Sequence, residues 1–209
     1  MDSGDVHMLP RGRHHLSREE VRRVQRERLL LGMVEVVAEQ GYGAATVGAV
    51  LRRVRISRET FYQHFSDKED CFLAAFDAAS DQLIAMIEAA LGSPEDPALV
   101  RLDRVLATYL GALSAAPTLA RTFLIEVYGA GRAAVSRRIA VQERYAVAIA
   151  DVLLRDEHWN GELDAAFAGR AVIGAVSALV TSYVDAGRYE ELPELRGQLL
   201  GLVAALMTD

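Results

Sequence analysis

The chain has 209 residues, a net charge of −6, 51% hydrophobic and 25% charged residues, which is ordinary globular composition and excludes a disordered chain. Its single cysteine, Cys71, excludes an internal disulfide and a multi-cysteine zinc site. The charge is uneven: residues 11–68 hold 12 basic and 7 acidic side chains, whereas 69–209 hold 11 and 20, so only the N-terminal part suits a polyanion.

Residues 1–16 contain Gly4, Pro10 and Gly12 without an apolar period and read as a flexible basic arm. Arg11, Arg13, His14, His15 and Arg18 fit either a solvated surface or insertion beside DNA phosphates. The first 28 residues lack the apolar core of a signal peptide, and the apolar stretch Ala171–Val184 is shorter than a bilayer requires, so a cytoplasmic protein with no membrane partner is expected.

From Ser17 onward the apolar spacing is helical, and period-two alternation is absent. Ser17 and Glu20 form a capping box, Leu30, Met33, Val34 and Val37 make a buried stripe, and Gly41 ends the helix. Thr46 caps a short helix to about Arg53, and Ser57 caps another to about His64, with a three-residue turn between them. Ser66 and Glu69 read as a second capping box, opening a long helix to about Leu91. Asp96 is expected to cap the next helix with Pro97 in its first turn. Pro117 starts a helix that Gly129-Ala130-Gly131 ends, and three more cover about 132–156, 162–186 and 193–207. The reading is all-α, about nine helices: a three-helix N-terminal domain over 17–66 and a helical body over 67–209.

The segments Gly41-Tyr42-Gly43-Ala44-Ala45-Thr46-Val47, Ile56-Ser57-Arg58-Glu59-Thr60-Phe61-Tyr62-Gln63-His64-Phe65 and Asp67-Lys68-Glu69 resemble the DNA-binding domain of TetR-family transcriptional regulators. The resemblance covers about 45 residues in detail; beyond them only the number and order of helices agree. It implies a helix-turn-helix that binds a palindromic double-stranded DNA operator as a homodimer, most simply as a repressor. On the residues themselves, Ser57 opens a short helix whose first amides and hydroxyl suit a phosphate. Arg58 can fork onto guanine, and Thr60 can offer its methyl or hydroxyl to a base. The resemblance assigns phosphates to Tyr62 and His64, and Thr46 and Lys68 are expected to hold further ones. Phe61 and Phe65 point inward, toward Val47, Val50, Leu51, Val54 and Ile56. Tyr42 fits either the core or a position beside DNA. Two departures from the family pattern stand in the turn: Arg55 where glycine is usual, predicting a left-handed backbone without the usual residue for it, and Leu51 where alanine is usual.

The helix at 162–186 is apolar nearly all round, and the last helix carries Leu195, Leu199, Leu202 and Leu206 in a heptad-like seam. Val172, Val176, Leu179 and Tyr183 with those leucines are the expected dimer interface, and Gly169, Gly174 and Gly201 are expected to permit close helix approach. In the family a small-molecule effector lies among the long helices of the body. Candidate lining residues are Phe76, Met86, Tyr109, Phe123, Tyr128, Tyr145 and Phe167, with Glu126 and Arg170 as polar groups, and an aromatic and methionine lining suits a bulky apolar molecule. No catalytic motif and no metal or cofactor site is recognisable, and Cys71 reads as a core thiol. A helical adaptor that has lost DNA binding is the alternative function.

Overall fold

A computed structural model describes residues 17–207. The N-terminal arm, with Arg11, Arg13, His14 and His15, lies outside the described residues. Among those described there are nine α-helices: α1 (Arg18–Gln40), α2 (Val47–Val54), α3 (Arg58–His64), α4 (Lys68–Ala90), α5 (Ala98–Ala115), α6 (Pro117–Leu124), α7 (Arg132–Leu154), α8 (Ala165–Asp185) and α9 (Leu195–Ala205). The all-α expectation holds.

Local chemistry sets most of the boundaries. At α1 the Glu20 N–H donates to Ser17 Oγ at 3.1 Å and the Ser17 N–H donates to the Glu20 carboxylate at 2.6 Å, closing the capping box. These bonds to Ser17 hold the Glu20 carboxyl below its ordinary range. Gly41, at φ 77°, ends the helix. The box expected at Ser66 is corrected: Asp67 is the cap and accepts the Asp70 N–H, while Ser66 donates its N–H and hydroxyl to the Asp70 carboxylate. Asp96 does not cap α5 either. It pairs with Arg104, and the free Ala98 N–H donates to Asp156 at 2.6 Å, a carboxylate supplied by the loop after α7. The helix from Pro117 is shorter than expected, because the chain tightens into a 3-10 turn, Glu126–Ala130, before Gly131. α8 starts at Ala165 behind an Asp164 cap, and a second 3-10 turn, Tyr189–Glu194, contains Pro193 ahead of α9.

Two hydrophobic clusters result. The first joins α1, α2, α3 and the front of α4 to Phe123, Val127, Ala130 and Ala134 of the body, so the core crosses the boundary drawn at residues 66/67. The second holds α5, the end of α7, α8 and α9. Within it, Val172, Val176, Val180 and Val184 place one face of α8 inside. At 21 residues with a mean hydropathy of 1.5 in its most apolar window, α8 is long and apolar enough to cross a bilayer, contrary to the shorter stretch read from the sequence. Here that valine face packs against protein.

Gly169 lets α7 and α8 approach. A Cβ there would stand 2.2 Å from the Ala146 carbonyl oxygen, a backbone atom that cannot swing away. Gly169→Ala is therefore expected to lower stability by roughly 1–3 kcal/mol, the usual range for overpacking. Urea unfolding checks this; an unchanged midpoint would contradict the close approach.

Candidate nucleic-acid interface and the cavity behind it

The helix-turn-helix is built from capped short helices with opposed faces. Thr46 Oγ1 accepts the Ala49 N–H at 3.1 Å and starts α2. Arg55 closes it in the left-handed region, φ 52° and ψ 48°, the only non-glycine residue there among those described. The expected strain, ~1 kcal/mol for a residue with a Cβ, falls at this turn. Ser57 Oγ then accepts the Thr60 N–H at 3.0 Å and lies 2.9 Å from Thr60 Oγ1. Phe61 and Phe65 are buried beneath α3 with Val50, while Val47, Leu51, Val54 and Ile56 pack around them.

This leaves Ser57, Arg58, Glu59, Tyr62 and Gln63 exposed, with Thr60 and His64 half-buried. Tyr62 is 50% exposed and meets the Phe61 ring edge-on at 5.3 Å, so the phenol is propped outward. Arg52, Arg55 and Arg58 hold no carboxylate among the described residues, whereas Arg53 is bound to Glu35 and Glu39 of α1. Burial, with Arg22 and Arg26 nearby, pushes His64 below the ordinary imidazole range.

One residue stands differently from expectation. Lys68 is not a free cation: its Nζ donates to the carbonyls of Tyr42 (2.8 Å) and Ala45 (3.0 Å) and lies 4.0 Å above the Tyr42 ring. It ties the start of α4 to the loop before α2. Tyr42 belongs to the core, edge-on to Phe72 at 5.0 Å. Cys71 is fully buried, and burial, with Asp70 beside it, pushes the thiol up to about 12.

Behind this domain lies a cavity of about 400 Å³, lined by α4 to α9. Of the candidate residues, Phe76, Met86, Tyr109, Phe123 and Tyr145 line it. Four other candidates do not. Glu126 accepts the Tyr42 N–H at 3.0 Å and pairs with Arg121. Tyr128 is 58% exposed and meets Arg138 from outside the lining; Phe167 is equally exposed; Arg170 pairs with Glu143 at the surface. The polar lining that sequence reading missed is Arg138, Gln142 and Ser177, with Ser80 and Gln82 on α4. Gln142 donates to Ser177 Oγ at 2.7 Å, and Arg138 donates to the same oxygen at 3.0 Å. The available signal was an arginine sharing a helical face with Tyr145, where an apolar residue is the ordinary choice. Burial, with Tyr109 next to it, pushes the Tyr145 phenol upward.

Residues 29–75 match the family described as bacterial regulatory proteins, tetR family. The match covers the back of α1, α2, α3 and the front of α4, so this part of the chain is similar to the TetR family. It is 33% identical over 72 residues to the transcriptional activator FasR of Mycolicibacterium smegmatis, a match covering 34% of this chain and 33% of that protein. It is 24% identical over 176 residues to a fatty acid metabolism regulator of Bacillus subtilis, covering 82% and 90% of the two chains. Its fold resembles FadR of Bacillus subtilis, solved in complex with stearoyl-CoA, with a TM-score of 0.75 and 21% identity over 86% of this chain and 98% of that one. The match spans only about a quarter to a third of the length of the first curated relatives.

The expected dimer residues divide. Val172, Val176, Leu195 and Leu199 are 2–6% exposed and belong to the protomer's own core, so they leave no surface for a partner. Tyr183 and Leu206 are half-buried, with Arg188 4.1 Å above the Tyr183 ring. Leu179 and Leu202 remain about 40% exposed, and Gly174 and Gly201 face open space. Of the three glycines expected at close approaches, only Gly169 makes one within the chain.

Proposed function

We propose that this protein is a homodimeric repressor that binds a palindromic operator and is released by a long-chain acyl compound. The exposed side chains of α3 are the reading surface. Arg58 and Thr60 contact base edges, while Ser57, Thr46, Tyr62 and His64 contact phosphates. Arg52 and Arg55 add positive charge beside them, and Lys68 acts by holding the loop rather than by touching DNA. The outer faces of α8 and α9, around Leu179 and Leu202, form a two-fold interface, which sets two copies of α3 about one DNA turn apart.

The observation that carries ligand control is the dual attachment of α6 and its 3-10 turn. On one side the Thr122 hydroxyl donates to the Val34 carbonyl of α1 at 3.2 Å, and Glu126 holds the Tyr42 amide ahead of α2. On the other side the Phe123 carbonyl accepts from Arg138 at 3.2 Å, and the Phe123 ring lines the cavity. A ligand that favours one position of this segment favours one spacing of the two heads, and only that difference in affinity alters DNA binding. The nature of the ligand is supported by the largely hydrocarbon lining and by the stearoyl-CoA complex of the similar FadR.

The test is anisotropy of a labelled operator during titration with palmitate and palmitoyl-CoA. Release by either, together with raised transcription of the adjoining gene in a deletion strain, is expected. An unaffected complex would refute the effector, and lowered transcription would make the protein an activator. Arg58→Ala is expected to lose about 1–3 kcal/mol of preference at one base position while leaving the others intact. A loss spread evenly over all sequences would place Arg58 on a phosphate instead.

A further inference from the structure

The cavity holds a charge that no neighbour balances. Arg138 is 6% exposed and lines the cavity. Its hydrogen bonds all go to neutral oxygens: Nε to the Tyr128 phenol (3.3 Å), Nη1 to the Phe123 carbonyl (3.2 Å), and Nη2 to Ser177 Oγ (3.0 Å) and Thr181 Oγ1 (3.3 Å). No carboxylate lies within ion-pair distance among the described residues, whereas the more exposed Arg53, Arg104, Arg137, Arg170, Arg188 and Arg196 each hold at least one. A guanidinium removed from water without a counter-charge is strongly unfavourable.

A second unmet group stands on the same face of α7. The Tyr145 hydroxyl is buried without a hydrogen-bond partner, seven residues from Arg138, and Gln142 lies between them. Such a group also seeks a partner. Apart from Ser80, Gln82, Tyr109 and Ser177, the remainder of the wall, including Leu102, Leu106, Val152, Leu199 and Val203, is hydrocarbon. The cavity is therefore amphipathic, with Arg138, Gln142 and Tyr145 along one helix face and no carboxylate in its lining.

We propose that Arg138 is the receptor for an ionised carboxylate, so that the effector is a free long-chain acid, with its chain lying along the leucine and valine wall. Tyr145 and Gln142 supply further donors to the acid group. This rests on the reading of the cavity as an acyl-effector site and names which acyl species fills it. A methyl ester or a thioester carries no charge at that carbonyl and leaves the guanidinium unbalanced. A carboxylate also competes with the Phe123 carbonyl for Nη1, which places the acid group directly on α6.

The experiment is calorimetric titration of the full chain with myristate, methyl myristate and myristoyl-CoA, for the native protein and for Arg138→Gln and Arg138→Lys. The native protein is expected to bind myristate about tenfold or more tighter than either neutral-carbonyl ligand. Arg138→Gln should abolish that preference and Arg138→Lys should keep most of it. Equal binding of acid and ester by the native protein overturns the carboxylate assignment while leaving the acyl reading intact. Tightest binding of myristoyl-CoA, undiminished in Arg138→Gln, overturns it in favour of the thioester. Binding of none of the three removes the acyl reading and this inference with it. The native-protein comparison decides the matter even if Arg138→Gln fails to fold.

Discussion

Truncation of Phe72 to alanine is expected to lower stability by about 3–5 kcal/mol, the range for emptying a buried aromatic site. Phe72 is fully buried at the centre of the first cluster, 5.0 Å from the Tyr42 ring and 5.8 Å from that of Phe123. It therefore touches both the loop ahead of α2 and the wall of the cavity. If these share one core, the reading head has no stability of its own, and the loss must be felt across the chain. Trp159, the single tryptophan, packs against the second cluster and provides the distant probe. Urea unfolding followed by tryptophan fluorescence and by circular dichroism should shift together to lower urea. A tryptophan transition left in place while part of the helical signal melts early would show two independent domains instead.

The second large effect concerns the pairing of subunits. Leu179→Glu with Leu202→Glu puts four carboxylates into the proposed two-fold interface and should yield monomers by light scattering. The protomer is expected to stay folded, because both side chains already face solvent and the core residues Val176, Val180, Leu199 and Val203 are untouched. A monomer presents one head to DNA, so the gain from tethering two heads is lost, on the order of 10²–10⁴ in operator affinity. Retention of the dimer would place the interface elsewhere. Monomers with undiminished affinity would remove the requirement for two-fold symmetry.

How far these features are legible in the sequence depends on how local their causes are. The caps of Ser17, Thr46 and Ser57 act over three residues and could be read directly. The inward faces of Phe61 and Phe65 follow from helical spacing. The Ala98 cap could not be read this way, because Asp156 reaches it from 58 residues away. Lys68 looked like a phosphate ligand by type and position, yet two carbonyls 23 and 26 residues earlier occupy its ammonium. On α8, composition shows apolarity on every face but does not say which face meets the chain's own core; the valine stripe is that face, which moves the proposed partner contacts to Leu179. Arg138 escaped notice for the same reason: an isolated arginine in an amphipathic helix is usually solvated, and only the packing of α6 and α8 makes it buried.

The most direct measurement is binding to genomic DNA. Fragments selected on the immobilised protein would be titrated by mobility shift from low to physiological salt. The expected result is a palindromic fragment held about 10³-fold or more tighter than bulk DNA, by two chains per site, with affinity falling linearly in log salt. No fragment preferred over bulk DNA, at any salt, would contradict a sequence-reading role for α3.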